Sequence, residues 1–169
     1  SIAGGGSFLT FPALVFAGVP TIAANATSAV AVFPGYLSGA LGFAKELKAF
    51  PKSKFLLLIF LSILGGVLGS ILLLITPEVV FSFIIPWLLG FATLLFAFGN
   101  YVSKLAEKTS DTNGFKSNIA TLLVCIYGGY FNGGLGIVLL ALFSTLGMRD
   151  IHLMNGLKNI MSFALSAAS

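Results

Sequence analysis

The sequence has very few charged residues. Only 8% of its 169 residues are Asp, Glu, Lys or Arg, whereas 57% are hydrophobic. Soluble domains carry about 25% charged residues, so this chain lacks the polar surface that a water-soluble protein needs. The composition therefore predicts an integral membrane protein. The net charge of +4 does not indicate nucleic-acid binding, since the lysines cluster between apolar tracts and form no basic stripe.

Residues suited to catalysis or metal binding are equally scarce. Cys125 and His152 are the only cysteine and histidine, so the sequence predicts neither a disulfide nor a Cys/His metal cluster. Ser7 has no nearby His or Asp in the sequence that could activate it as a nucleophile. We therefore expect a protein that is not an enzyme and that has no cofactor.

The uncharged tracts predict the membrane-crossing segments. Residues 1–44 and 117–148 carry no charge, and Glu78 is the only charged residue from 55 to 103. A helix crosses the hydrocarbon in about 20 residues, and Gly18-Val19-Pro20 is a typical helix stop and restart. The first predicted span ends near residue 17. The next four cover about 21–43, 55–75, 79–103 and 118–146, and the last begins at 151. The chain has no initiator Met and stops within an apolar helix, so we expect a fragment with both ends incomplete.

Lysine counts predict the orientation of the spans. Residues 45–54 hold four Lys and one Glu, and residues 104–116 hold three Lys, one Glu and one Asp. Both loops flank the same predicted hairpin, and the positive-inside rule places them in the cytoplasm. If residues 118–146 cross once, the turn at Gly147 faces the other side, and Arg149 is then a mild exception. The sequence leaves open whether they cross once or fold back.

The two halves of the chain share an order of features that indicates an internal repeat. Each has a glycine cluster, an apolar run, a glycine turn and a helix with polar residues: GGGSFLTFPALVFAGVPTIAANATSAV and GGLGIVLLALFSTLGMRDIHLMNGLKNI. Chance similarity of Gly-rich segments is the alternative. Matching glycine clusters predict interrupted helices, whose N-termini favour anions and mark substrate sites in transporters. Close packing without a ligand is the other interpretation.

Lys158 is the most informative single residue of the second motif. It lies about 12 Å along the predicted helix from Asp150, and no Asp or Glu follows Asp150 in the sequence. Intramembrane ionisable groups usually face a cavity and mark a pathway, although a lysine can also extend its side chain to the interface. We therefore expect two half-sites that converge on one small anion. The predicted substrate-binding residues are Lys158, Asn155, Asn159, Asn25, Thr27, Ser28, Gly5, Gly6, Ser7, Gly133 and Gly134.

The two quoted segments, with L-x-x-N-x-L-K-N after the second glycine turn, resemble the TauE/SafE family of bacterial membrane proteins. The resemblance implies exporters of sulfite, sulfoacetate or related anions in the inner membrane, with about eight spans in two halves. The expected fold is an all-α transmembrane bundle with two repeats and Gly-interrupted, broken or re-entrant helices. The first repeat would occupy 1–103, a cytoplasmic linker 104–117 and the incomplete second repeat 118–169. The expected partners are a small anion, the lipid bilayer and a second copy of the chain in a homo-oligomer. A non-transporting scaffold or assembly module is the alternative, and direction, coupling ion and repeat orientation stay open.

Overall fold

The computed structural model describes residues 6–107 and 114–169, and within them every regular element is an α-helix. The predicted all-α class is therefore confirmed. Gly5 and residues 108–113 of the predicted linker lie outside the described residues. The helices are α1 (Gly6–Phe16), α2 (Thr21–Gly42), α3 (Ala44–Ala49), α4 (Lys52–Ile75), α5 (Glu78–Glu107), α6 (Gly114–Tyr130), α7 (Leu135–Thr145) and α8 (Ile151–Ala168).

Local chemistry accounts for the helix boundaries. Pro20 and Pro51 each directly precede a helix, α2 and α4, where a fixed φ is compatible with a first turn. Asp150 caps α8, because its carboxylate accepts hydrogen bonds from the N–H groups of His152 (2.9 Å) and Leu153 (3.2 Å). The lysine-rich segment 45–54, which we expected to be a loop, is largely helical, because it holds most of α3 and the first residues of α4.

Two helices, α4 and the first eighteen residues of α5, are long and apolar enough to cross a membrane. Only 28% and 17% of these segments are buried within the structure, so most of their apolar side chains point out of the bundle. Leu56, Phe60 and Phe83 are examples, each more than half exposed. Such wide apolar surfaces are unusual on soluble proteins and agree with a membrane environment.

The two ends of the bundle can be named by their residues. We use "lysine end" for the segment 45–54 and "glutamate end" for the turn 76–78 that joins α4 to α5. Helix α2 starts at the glutamate end, where the N–H of Ile22 donates to the Glu78 carboxylate over 3.2 Å. It finishes at the lysine end and runs antiparallel to α8, with Phe33 stacked on Phe163 at a ring-centre distance of 4.5 Å.

Close backbone contact makes α4 and α6 a parallel pair. A Cβ added at Gly65 would lie 2.3 Å from the Cβ of Cys125, and one added at Gly69 would lie 2.3 Å from the carbonyl oxygen of Ile126. Residue numbers increase in the same direction along both helices. Because α4 begins at the lysine end, α6 begins there as well. The packing role that the GxxxG spacing predicts for Gly65 and Gly69 agrees with these contacts.

Helix α7 returns toward the lysine end instead of continuing the direction of α6. Leu135, its first residue, touches Gly128 of α6, while Leu139 and Phe143 share one hydrophobic cluster with Cys125. Leu47 and Phe50, both at the lysine end, pack against that cluster, as does Met148 after α7. Helices α6 and α7 therefore form a fold-back hairpin.

This hairpin answers the question that the sequence left open about residues 118–146. They do not cross once, so the turn at Gly147 lies at the same end as residues 45–54. Asp150 and Leu153 line a surface cleft together with Lys45 and Phe50, which places the turn beside the lysine-rich segment. Arg149 consequently belongs to the lysine end and is no exception to the charge pattern. The chain can reverse because residues 131–134 are not helical and Gly134 has φ of 78°.

Candidate functional site

Asn132 is the centre of a buried hydrogen-bond network at the break between α6 and α7. Its carbonyl oxygen accepts from the Ser7 hydroxyl (3.0 Å), and its side-chain oxygen accepts from the Tyr36 hydroxyl (3.1 Å). Its amide nitrogen donates to the hydroxyl of Ser166 over 3.3 Å. One residue of a non-helical segment thus binds α1, α2 and α8 together, and its side chain is only 3% exposed.

Asn25 holds the same break from the other side. Its side-chain nitrogen donates to the carbonyl of Tyr130 (3.1 Å), and its side-chain oxygen accepts from the N–H of Asn132 (3.3 Å). Both ends of the amide are therefore used on backbone groups that the break removes from regular helix bonding. The principal role of Asn25 in this structure is to shape the break, and buried backbone groups need such partners.

Two half-length helices begin at this network and run apart. Both α1 and α7 have eleven residues. Ser7, which bonds the Asn132 carbonyl, is the second residue of α1, and Asn132 lies three residues before Leu135. Helix α1 runs toward the glutamate end, where Leu14 and Val15 pack against the cluster around Phe81; α7 runs toward the lysine end. The positive end of the α7 dipole therefore lies close to Asn132, which also bonds Ser7 near the first described residue of α1.

Aromatic side chains fix the geometry of the break. Phe131 is fully buried and meets the ring of Phe11 edge to face, at a ring-centre distance of 5.3 Å. It also approaches Phe81 of α5 at 6.4 Å. The hydroxyl of Tyr127 donates to the Gly133 carbonyl over 2.8 Å. This packing holds the turn between α6 and α7 in one position relative to α1 and α5.

A cavity of about 320 Å³ opens next to the network. Polar groups from three helices and the break face it, whereas its remaining lining is apolar or glycine. Its polar lining consists of Asn25, Ser70, Asn132, Ser166 and Ser169. All of these are neutral groups that can donate hydrogen bonds, and the volume lies within the range of small-molecule sites.

The Lys158 side chain is fully buried, yet it does not line this cavity. Its ammonium donates to the side-chain oxygen of Asn155 over 3.0 Å, and the Asn155 nitrogen donates to the Ile151 carbonyl over 2.9 Å. Ser166 lies eight residues further along α8, which is about 12 Å. Lys158, Asn155 and Asn159 therefore form a second polar group nearer the lysine end, with Asn159 packed against Gly39 of α2.

The other predicted site residues divide between these groups and the surface. Ser28 is buried, and its hydroxyl is hydrogen-bonded to that of Thr10. Gly133 and Gly134 are buried at the break, whereas Gly6, the first residue of α1, is exposed. Thr27 is exposed and does not line the cavity. Among the residues that the structure describes, no group of three His, Cys, Asp or Glu could hold a metal ion.

Sequence reasoning missed three residues of the network, namely Tyr36, Asn132 and Ser166. A signal existed for Asn132, because it is the only Asn or Gln from residue 119 to 154 and stands inside the second glycine cluster. Tyr36 and Ser166 carry no comparable signal. Each is one polar residue on a long helix, and only the tertiary contacts show that it reaches the break.

Comparison with known proteins gives a consistent result. The family described as "Sulfite exporter TauE/SafE" matches residues 1–169. A "Probable membrane transporter protein" of Haemophilus influenzae is 28% identical over 172 residues, which cover 98% of this chain and 67% of the relative. A "Probable membrane transporter protein ORF9" of Sinorhizobium sp is 30% identical over 146 residues, which cover 86% of this chain and 56% of the relative. No solved structure matches.

Proposed function

Because the chain belongs to the TauE/SafE sulfite exporter family, we propose that it forms part of a secondary transporter for a small anion. The proposed substrates are sulfite, sulfoacetate or a related sulfur-containing organic anion, carried across the bacterial inner membrane. The observation that carries the proposal is the break between α6 and α7 at Asn132, which bonds Ser7 of α1 and lies beside a polar cavity.

The chemistry of the cavity suits an oxyanion. The α7 dipole adds positive potential near Asn132, while the N–H groups of Leu135, Ile137 and Val138 already donate to carbonyls of the break. Carboxamide and hydroxyl groups around the cavity supply further neutral donors. Neutral donors let an anion bind without the strong attraction of an ion pair, and a transporter must also release its substrate. Lys158 adds positive charge about 12 Å from Ser166 along α8.

We further propose that the two halves are repeats of inverted topology. Helices α1 and α7 run in opposite directions, and each is followed by a glycine turn and a long helix that returns past the break. Inverted repeats with interrupted helices are a common plan for secondary transporters. The proposed boundaries are 1–103 for the first repeat, 104–117 for the linker and 118–169 for the part of the second repeat present here.

The orientation follows from the charge pattern under this proposal. The lysine end, which includes Arg149 in the folded structure, is cytoplasmic, and the glutamate end faces outward. The substrate site then lies within the membrane, reached from either side. Relatives are longer than this chain, which spans 67% and 56% of the two described above. The completed protein is therefore the proper material for a functional test.

The test is anion flux into liposomes that contain the purified full-length protein. Radiolabelled sulfite, sulfoacetate and thiosulfate are offered separately, with protein-free liposomes as the baseline. We expect uptake of at least one anion, a loss of at least tenfold for Lys158→Met, and near-normal uptake for Lys48→Met. Lys48 is an exposed lysine of α3 and controls for the loss of one positive charge.

Two results would contradict the proposal. Uptake by Lys158→Met at the wild-type rate would remove Lys158 from the mechanism. Equal counts in protein-containing and protein-free liposomes for every anion would favour the alternative of a non-transporting scaffold. Gel filtration and thermal melting of each variant show whether lost uptake reflects lost folding.

A further inference from the structure

Three polar side chains follow one face of α8 between the Lys158 group and the cavity. Lys158, Ser162 and Ser166 are spaced four residues apart, so neighbouring members are about 6 Å apart along the helix and about 40° apart around it. Ser166 lines the cavity and bonds Asn132, while Lys158 bonds Asn155 toward the lysine end. We call these three residues the α8 polar track.

The middle residue of the track is unusual because its hydroxyl is not satisfied. Among the residues that the structure describes, Ser162 Oγ is buried and has no hydrogen-bond partner, and the same holds for the side-chain oxygen of Asn159. Ser162 is fully buried and Asn159 is 1% exposed. A buried polar atom without a partner costs about 1–3 kcal/mol, and such atoms mark sites that water or a ligand occupies.

Other hydroxyls on apolar helices of this chain avoid that cost by bonding the backbone one turn back. Ser62 donates to the Leu58 carbonyl at 2.8 Å, and Thr93 donates to the Leu89 carbonyl at 2.7 Å. Thr121 does the same with Ser117 at 2.9 Å. The same bond is open to any serine in a helix. Ser162 does not form this backbone hydrogen bond, so its hydroxyl can bond a group outside α8.

We propose that the α8 polar track is the path along which the anion moves between the cavity and the lysine end, with the Ser162 hydroxyl as an intermediate donor. This inference rests on the proposed function and adds a second, deeper contact point to it. The anion would leave the neutral donors around Asn132, pass Ser162, and reach the ammonium of Lys158. Each step is about one helical turn, so the anion keeps at least one donor throughout.

The facing helix α2 packs closely against α8 at one point near the track. Gly39 of α2 stands opposite Asn159, one residue beyond Lys158, and a Cβ added there would lie 2.6 Å from the Asn159 nitrogen. A larger side chain at position 39 would therefore displace the Asn159 side chain or separate the two helices. The absence of a side chain at Gly39 lets α2 and α8 pack closely at the level of Lys158.

The path is tested by the reactivity of a cysteine placed on it. Every native cysteine of the full-length protein, including Cys125, is first replaced by serine. Ser162→Cys is then compared with Met161→Cys, which is at the same depth and equally buried but belongs to the apolar cluster. The probe is methanethiosulfonate ethylsulfonate, an anionic reagent whose sulfenyl group forms a disulfide with an accessible thiolate and releases methanesulfinate.

We expect the cysteine at 162 to react at least tenfold faster than the cysteine at 161, and sulfoacetate in excess to slow it at least threefold. Equal rates for the two variants would overturn the path, even when the flux assay succeeds. Faster reaction at 162 that sulfoacetate slows would support the path, even when none of the three anions accumulates in liposomes. The two proposals can therefore fail separately.

Discussion

Replacing Asn25 with alanine should destabilise the break between α6 and α7 more than any neighbouring substitution. The amide of Asn25 joins the carbonyl of Tyr130 to the N–H of Asn132, and the alanine variant leaves both backbone groups without that partner. An unsatisfied buried group costs about 1–3 kcal/mol, which makes about 2–6 kcal/mol for the two together. The adjoining cavity can admit water, and cross-helix hydrogen bonds in membranes average about 0.6 kcal/mol.

These two considerations select the lower end of the range, and we expect a loss of about 2 kcal/mol in the free energy of unfolding for Asn25→Ala. The measurement is reversible unfolding in mixed micelles, followed through the fluorescence of Trp87, the single tryptophan. Thr27→Ala is the matched control, because Thr27 is on the same helix and exposed. It should change stability by no more than about 0.5 kcal/mol.

A second substitution at this position separates the two hydrogen bonds. Asn25→Asp keeps an oxygen for the N–H of Asn132 but faces the Tyr130 carbonyl with a second oxygen in place of the donor. It should therefore be at least as unstable as Asn25→Ala, although it preserves the volume of the side chain. Stability of Asn25→Ala within about 0.5 kcal/mol of wild type would refute the view that this amide holds the break.

Two further predictions concern helix packing and orientation. Gly69→Ala should lose about 1–3 kcal/mol of stability, because its Cβ would meet the backbone of α6. Gly90→Ala is the control and should be neutral, because a Cβ there would meet nothing within 4 Å among the described residues. Equal melting temperatures for the two variants would contradict the close contact at Gly69. Cysteines at Arg149 and Lys48 should react with an impermeant maleimide from the same side of the membrane, and a cysteine at Glu78 from the opposite side. Labelling of positions 149 and 78 from one side would disprove the fold-back of α6 and α7.

The sequence was sufficient to predict many helix ends, although it did not predict α3. Proline and glycine chemistry at Pro20, Gly18 and Pro77 places the ends of α1, α2, α4 and α5 within a few residues of their observed positions. These signals act on the backbone of the residue itself or its neighbours, so they are readable without knowing the fold. The Asp150 cap is readable for the same reason, since its partners are two and three residues away.

Tertiary arrangement could not be obtained in the same way. The return of α7 toward the lysine end depends on contacts of Leu139 and Phe143 with residues of α6 and α8, and the uncharged tract 117–148 fits a single crossing equally well. The sequence predicted that the half-sites of Lys158 and Asn25 converge on one anion, whereas the structure separates Lys158 from the cavity by about two helical turns. Thr27 shows a related limit, because helical periodicity alone does not say which face of α2 packs inward.

The hydrogen bond between Asn25 and Tyr130 has a consequence for biosynthesis. The two residues are 105 positions apart, and chains are synthesised at about 5–20 residues per second. The Asn25 amide of a nascent chain therefore lacks its final hydrogen-bond acceptor for roughly 5–20 seconds, until Tyr130 has been synthesised. The hydroxyl of Ser7 on α1 waits for the same moment, because it bonds the carbonyl of Asn132. Insertion of the first helices is thus finished only when the ribosome has translated well past the middle of this sequence.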